Sequence, residues 1–182
     1  MKKTFVIIVF LSSLFTVNAQ NPNDAIGYQF QKKNDITINL FFTSLGLLEG
    51  TYERNLNSKS SLGITGMYAF SRKYDEDVNF LFSPFYRRYF GEKYSAGFFM
   101  EGFTTIGSVD GKQLYGRDGN LTLKEGPDVI DLSLGLSFGY KWVTKSGIVF
   151  EALVGMGGNL FNADKTDHNI INRRAISVGY RF

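Results

Sequence analysis

From Asp131 to Trp142 the chain reads DLSLGLSFGYKW, with a large apolar side chain at every even position and a polar, charged or glycine residue at every odd one. A period of two sends successive side chains to opposite faces of an extended strand and does not line one face of a helix. The same alternation marks eight segments, approximately residues 35–43, 47–56, 61–71, 78–90, 95–108, 129–143, 147–158 and 171–182. Nothing of helical period competes with them, so the fold is expected to be all-β.

In nearly all of these segments the apolar face falls on even numbers, as in Ile36, Ile38 and Leu40, Phe80 and Phe82, or Ile148, Phe150 and Val154. The odd face carries serines and threonines together with Glu49, Glu53, Arg87, Glu101, Asp131, Lys141, Glu151, Arg173 and Arg181. Connections alternate in length. NSKS (Asn57–Ser60), GEKY (Gly91–Tyr94) and TKSG (Thr144–Gly147) read as tight turns, whereas residues 72–77, 109–128 and 159–170 form longer links. Short turns at one end and long loops at the other is the plan of an outer-membrane barrel with both termini on the periplasmic side. One link departs from it: the stretch Ser44–Gly46 is very short for an outer loop. Within the longest link, LTLK (Leu121–Lys124) is suited to a hairpin that extends the wall and offers a strand edge to a partner.

The start MKKTFVIIVFLSSLFTVNAQ has two lysines, an apolar run and a small-residue end, the anatomy of a secretory signal peptide cleaved after Ala19. Its apolar core is too short to span a bilayer as a helix. Cleavage removes two of the 20 bases and leaves 18 against 17 acids, so the basic calculated pI carries no message about a polyanionic partner. No basic run with interleaved aromatics points to nucleic acid. Cysteine is absent, which excludes disulfides and thiolate chemistry. Residues 20–34 read as a periplasmic lead-in and residues 35–182 as the barrel.

Alternation alone leaves open which face is inside. A soluble, lipocalin-like periplasmic barrel would turn the even face inward around an apolar ligand. Three features favour the opposite arrangement, an eight-stranded antiparallel up-and-down transmembrane β-barrel. The charged face also holds glycines such as Gly63, Gly135, Gly139 and Gly155, useful in a cramped interior. Aromatics gather at the periplasmic strand ends, Tyr52, Tyr86, Phe90, Tyr140, Trp142, Tyr180 and Phe182, as in an interfacial girdle. The terminal run Ile176, Val178, Tyr180 and Phe182 resembles the signal read by the barrel-assembly machinery of bacterial outer membranes. Charges enclosed in such a barrel are costly unless paired, so the nine odd-face charges are expected to form a lumenal ion-pair network. A lumen filled by side chains would not conduct.

Candidate chemistry is sparse. His168, with Asp164 and Asp167 in NADKTDHN, offers one imidazole and two carboxylates in a polar loop, short of what a metal site needs. The acids of RKYDED (Arg72–Asp77) lack calcium-loop spacing. Glu101 and Glu151 would be the acid and base of a lipid-modifying enzyme, the alternative from another class, but ion pairing is the simpler role for them. The glycines of GMGG (Gly155–Gly158) end a strand without a following helix, so they form no phosphate loop. No catalytic residue, cofactor, metal or nucleic-acid partner is expected.

The stretches FSPFYRRYFGEK (Phe82–Lys93), AGFFMEGF (Ala96–Phe103), SLGLSFGYKWVTKSGIVFEALVGMGGNLF (Ser133–Phe161) and VGYRF (Val178–Phe182) resemble small outer-membrane β-barrel proteins of Bacteroidetes-type bacteria, specifically domain of unknown function 3575. The resemblance implies location and fold and supplies no site residues. The expected role is structural or surface-interacting: the wall meets outer-membrane lipid, and loops 72–77, 109–128 and 159–170 meet extracellular protein or glycan.

Overall fold

The computed structural model describes residues 32–70, 78–109, 113–115, 121–125, 129–161 and 170–182. The expected signal peptide, most of the lead-in and the loop that holds His168, Asp164 and Asp167 lie outside the described residues, as does RKYDED. All of the described residues belong to one compact unit, Lys32–Phe182.

Among the described residues the strands are β1 (Asn34–Asn39), β2 (Leu47–Asn55), β3 (Ser60–Ala69), β4 (Val78–Tyr89), β5 (Gly97–Val109), β6 (Gln113–Tyr115), β7 (Leu121–Glu125), β8 (Val129–Val143), β9 (Ile148–Asn159) and β10 (Ile170–Arg181), and the short helix is α1 (Leu40–Ser44). Eight strands close an antiparallel barrel in the order β1-β10-β9-β8-β5-β4-β3-β2, and β2 returns to β1. Each strand pairs with its sequence neighbour around the wall, the up-and-down plan that alternating short and long connections require. The remaining two, β6 and β7, pair with each other as a hairpin between β5 and β8, at the place where LTLK is suited to one.

Closure depends on the chain ends. β1 meets β10 over five pairs, from Asp35 opposite Arg181 to Asn39 opposite Ser177, whereas β5 meets β8 over thirteen. Phe182 and Asn34 exchange backbone hydrogen bonds of 2.8 and 3.0 Å and extend the seam at its lower end. At its upper end the strand expected over residues 35–43 stops at Asn39, and α1 follows. The Asn39 side chain explains the break. Its oxygen accepts from the amides of Phe41 (3.1 Å) and Phe42 (3.5 Å), capping the helix, and from the amide of Ile176 (3.3 Å). Its amide nitrogen donates to the Arg174 carbonyl (2.9 Å). One side chain thus starts the helix and satisfies the edge of β10 where β1 ends.

The two faces of the wall differ in polarity and burial. Even-numbered side chains along the walls, Leu134, Leu136, Phe138, Phe150, Val154 and Ile176 among them, are exposed, while Ser133, Ser137, Lys141, Glu151 and Ser177 are buried. The even face therefore does not line the lumen, so a barrel that holds an apolar ligand against that face is ruled out by the geometry. Among the described residues no helix is long and apolar enough to cross a membrane, a statement that leaves crossing by strands untouched.

Candidate functional site: the lumenal ion-pair cluster

Odd-numbered positions of seven strands deliver charge to the lumen. Arg87 on β4 stands at its centre. Its Nε donates to Glu101 Oε2 on β5 (2.6 Å), its Nη1 to Glu53 Oε2 on β2 (2.7 Å), and its Nη1 and Nη2 to the two oxygens of Glu151 on β9 (2.6 and 2.9 Å). Lys141 on β8 reaches across the barrel to Glu53 Oε2 (2.5 Å) and Asp35 Oδ2 on β1 (3.1 Å). Tyr89 donates its hydroxyl to the other Glu53 oxygen (2.5 Å). Arg173 on β10 binds Glu101 (2.7 Å) and Thr65 (3.2 Å).

The four bases Arg87, Lys141, Arg173 and Arg181 meet the four acids Asp35, Glu53, Glu101 and Glu151, so the cluster balances its own charge. All are nearly removed from solvent; Arg87 and Lys141 are each 1% exposed. Removing one member leaves uncompensated charge in a poorly solvated space, which costs more than the pair itself contributes.

Aromatic rings complete the packing. The Arg87 guanidinium lies 4.4 Å from the ring centroids of both Phe85 and Phe99, and that of Arg173 lies 4.8 Å from Phe103. This geometry places each cation over the electron-rich ring face. The rings in turn need glycine. Phe85 is paired in register with Gly63, Phe99 with Gly139 and Phe103 with Gly135, and a Cβ on any of these glycines would run into the facing ring. The glycines expected to relieve crowding do so at these positions by accepting an aromatic plate from the next strand.

The lower mouth is closed by the β4–β5 connection, which runs from Phe90 to Ala96 and is longer than the GEKY turn expected there. Tyr94, Ser95 and Ala96 are buried beneath the barrel. Arg181 holds them: it grips Asp35 through Nε (2.6 Å) and Nη2 (2.8 Å) and donates to the carbonyls of Tyr94 and Ser95, both at 2.9 Å. Ser95 adopts a left-handed φ of 39°, and its amide and hydroxyl bond the carbonyls of Ser58 and Asn57 in the neighbouring turn. Burial raises the pKa of the Tyr94 phenol above its ordinary value, against the opposing pull of the Arg181 charge.

Of the nine residues expected in the network, Arg87, Lys141, Arg173, Arg181, Glu53, Glu101 and Glu151 are brought together. Glu49 and Asp131 are buried in the lumen too, Glu49 within the field of Arg173. Glu49 accepts from Asn39 (2.8 Å), and Asp131 accepts from the amides of Leu132 (2.7 Å) and Phe161 (3.2 Å) at the loop end. Asp35 joins the cluster as well. Its odd parity matches Thr37 and Asn39, but at the start of a strand it has no preceding alternation to reveal its side.

Glu101 and Glu151, which a carboxylate-pair mechanism would use, are both tied to Arg87. Among the described residues no group of three His, Cys, Asp or Glu side chains is arranged to hold a metal ion. On the outer face, Ile176, Val178 and Tyr180 follow one another along β10 and Phe182 comes just after it, with Ile176, Tyr180 and Phe182 exposed.

The profile of a family described as Protein of unknown function (DUF3575) matches residues 5–177. No curated protein and no solved structure matches the chain.

Proposed function

The chain belongs to the domain of unknown function 3575 family, and from its geometry we propose that it is a small outer-membrane β-barrel whose lumen is sealed, with a structural and loop-presenting role rather than a catalytic or transporting one. The observation that carries this reading is the inverted polarity of the barrel. Large apolar side chains cover the outside while paired charges fill the inside, which suits hydrocarbon and would be costly in water. The aromatics Tyr52, Phe90, Tyr140, Trp142, Tyr180 and Phe182, exposed at the turn end, fit a membrane–water boundary. A cleaved signal peptide over residues 1–19 would deliver the chain, and the outward residues Ile176, Val178, Tyr180 and Phe182 would be offered to the assembly machinery. The loop-end links would then meet protein or glycan outside the cell.

The test combines gel mobility with conductance. A sealed membrane barrel stays with the membrane fraction after alkaline extraction, migrates faster unheated than boiled, and passes no steady current across a planar bilayer. Recovery in the soluble fraction, or a reproducible single-channel current, would replace this reading.

A further inference from the structure

The charges outside the lumen are divided unequally. Among the described residues the turn end holds Lys32 and Lys33 ahead of β1, Arg54 on β2, Lys59 in the β2–β3 turn, Arg88 on β4, and Lys93 and Lys145 in the two other turns, against the acidic side chain of Glu92. The links that join strands at the opposite end, residues 70–77, 110–128 and 160–169, carry six bases and nine acids. A near-neutral chain therefore has a strongly basic end.

These seven bases differ in kind from the lumenal four. Every lumenal base is ion-paired, whereas among the described residues none of the seven meets a carboxylate. Their contacts are with neutral groups: Lys32 with the Tyr180 hydroxyl (3.0 Å), Arg54 with the Asn34 side-chain oxygen (2.7 Å), and Lys59 with the Gly91 carbonyl. Arg54 and Arg88 project from the outer wall beside Tyr52 and Tyr86, so their charge points sideways rather than down into solution. Lys93, with Glu92 before it, lines a groove of about 390 Å³ walled by Tyr140, Trp142 and Thr144.

We propose that this end of the barrel is a collar that binds the headgroups of anionic phospholipids in the adjoining leaflet, a step that rests on the membrane reading proposed for the barrel. Unpaired bases at the level of an aromatic girdle have the position and sign to meet lipid phosphate, and the groove beside Lys93 gives one headgroup a place between a cation and two aromatic rings. The lateral projection of Arg54 and Arg88 favours lipid over a polymer lying beneath the barrel.

Trp142, the only tryptophan of the chain, reports on this groove. The full barrel is reconstituted in bilayers that mix brominated phosphatidylglycerol with plain phosphatidylcholine, then in bilayers with the label exchanged, and Trp142 quenching is compared. The expected result is a preference for the anionic lipid of about fivefold, the effect of one basic side chain near an anionic surface. It should fall with added salt and vanish in the variant R54Q/R88Q/K93Q/K145Q, while quenching by brominated phosphatidylcholine persists and shows that the variant is folded in the bilayer. Equal quenching by both lipids in the unaltered protein overturns the collar and leaves the membrane barrel standing. Absence of quenching by either lipid overturns the membrane reading and the collar together. Binding of the detergent-solubilised barrel to soluble polyglutamate, without lipid preference at Trp142, would assign the basic end to an acidic polymer and also overturn the proposal.

Discussion

The two halves of the lumen are held together in different ways. Toward the turn end, long charged side chains cross the barrel: Lys141 on β8 meets Glu53 and Asp35 on the far wall, and Arg173 on β10 meets Glu101 on β5. Toward the loop end, short hydroxyl groups bond mainly to the next strand, with Thr65 also accepting from Arg173 across the lumen. Thr51 pairs with Thr65 (2.9 Å), Ser83 with Thr105 (2.5 Å) and Ser133 with Asn159 (2.6 Å). The first arrangement braces opposite walls through shared ions, so its members depend on one another. The second adds local rungs to a wall that backbone pairing already defines. Damage should therefore spread in one half and stay local in the other.

The largest effect is expected from Arg87→Ala. It removes one of the two cations that hold Glu53 and Glu101 and the nearest cation of Glu151, and should cost about 3–5 kcal/mol, read by urea unfolding in lipid vesicles. A cost below about 1 kcal/mol would mean that the cluster is solvated and that the two halves are alike. Coupling sharpens the point: in a double-mutant cycle, Arg87→Ala and Glu151→Ala should fall short of additivity by more than about 1 kcal/mol.

A smaller loss, about 1–3 kcal/mol, is expected for Gly139→Val, because the new side chain meets the Phe99 ring, which stacks on Arg87, and the Ala152 carbonyl. Adding Phe99→Leu should return part of that loss; no recovery would show that the ring is not the obstacle. The smallest effects belong to the hydroxyl rungs. Thr51→Val and Ser83→Ala should each cost about 0.5–1.5 kcal/mol and should add within about 0.5 kcal/mol when combined, because they share no partner. Strong coupling between them would erase the distinction.

Much of this is legible in the sequence because a barrel with unlike faces writes them into a period of two. The strand Val129–Val143 matches the alternation that predicts it, and seven of the nine expected network residues meet in the lumen. What escapes is information carried by pairing rather than by period. Phe85, Phe99 and Phe103 sit on the odd, enclosed face because each has a glycine opposite it on the next strand, and register is invisible within a single strand. Asn39 looks like one more odd-face polar residue until the shortness of β1 gives it the edge of β10 to cap. The buried Tyr94 and Ser95 read as turn residues in the sequence; only their placement beside Arg181 makes them the floor of the barrel.

An even face against lipid and a sealed odd face make a prediction that can be read residue by residue. Because the chain has no cysteine, single cysteines can be introduced and spin-labelled at Leu132, Ser133, Leu134, Leu136 and Phe138 in the reconstituted protein, and collision with oxygen compared with collision with a water-soluble nickel chelate. High oxygen access with little nickel access is expected at all four even positions, and low access to both reagents at Ser133. Nickel access at the even positions would place that face in water and refute the membrane barrel.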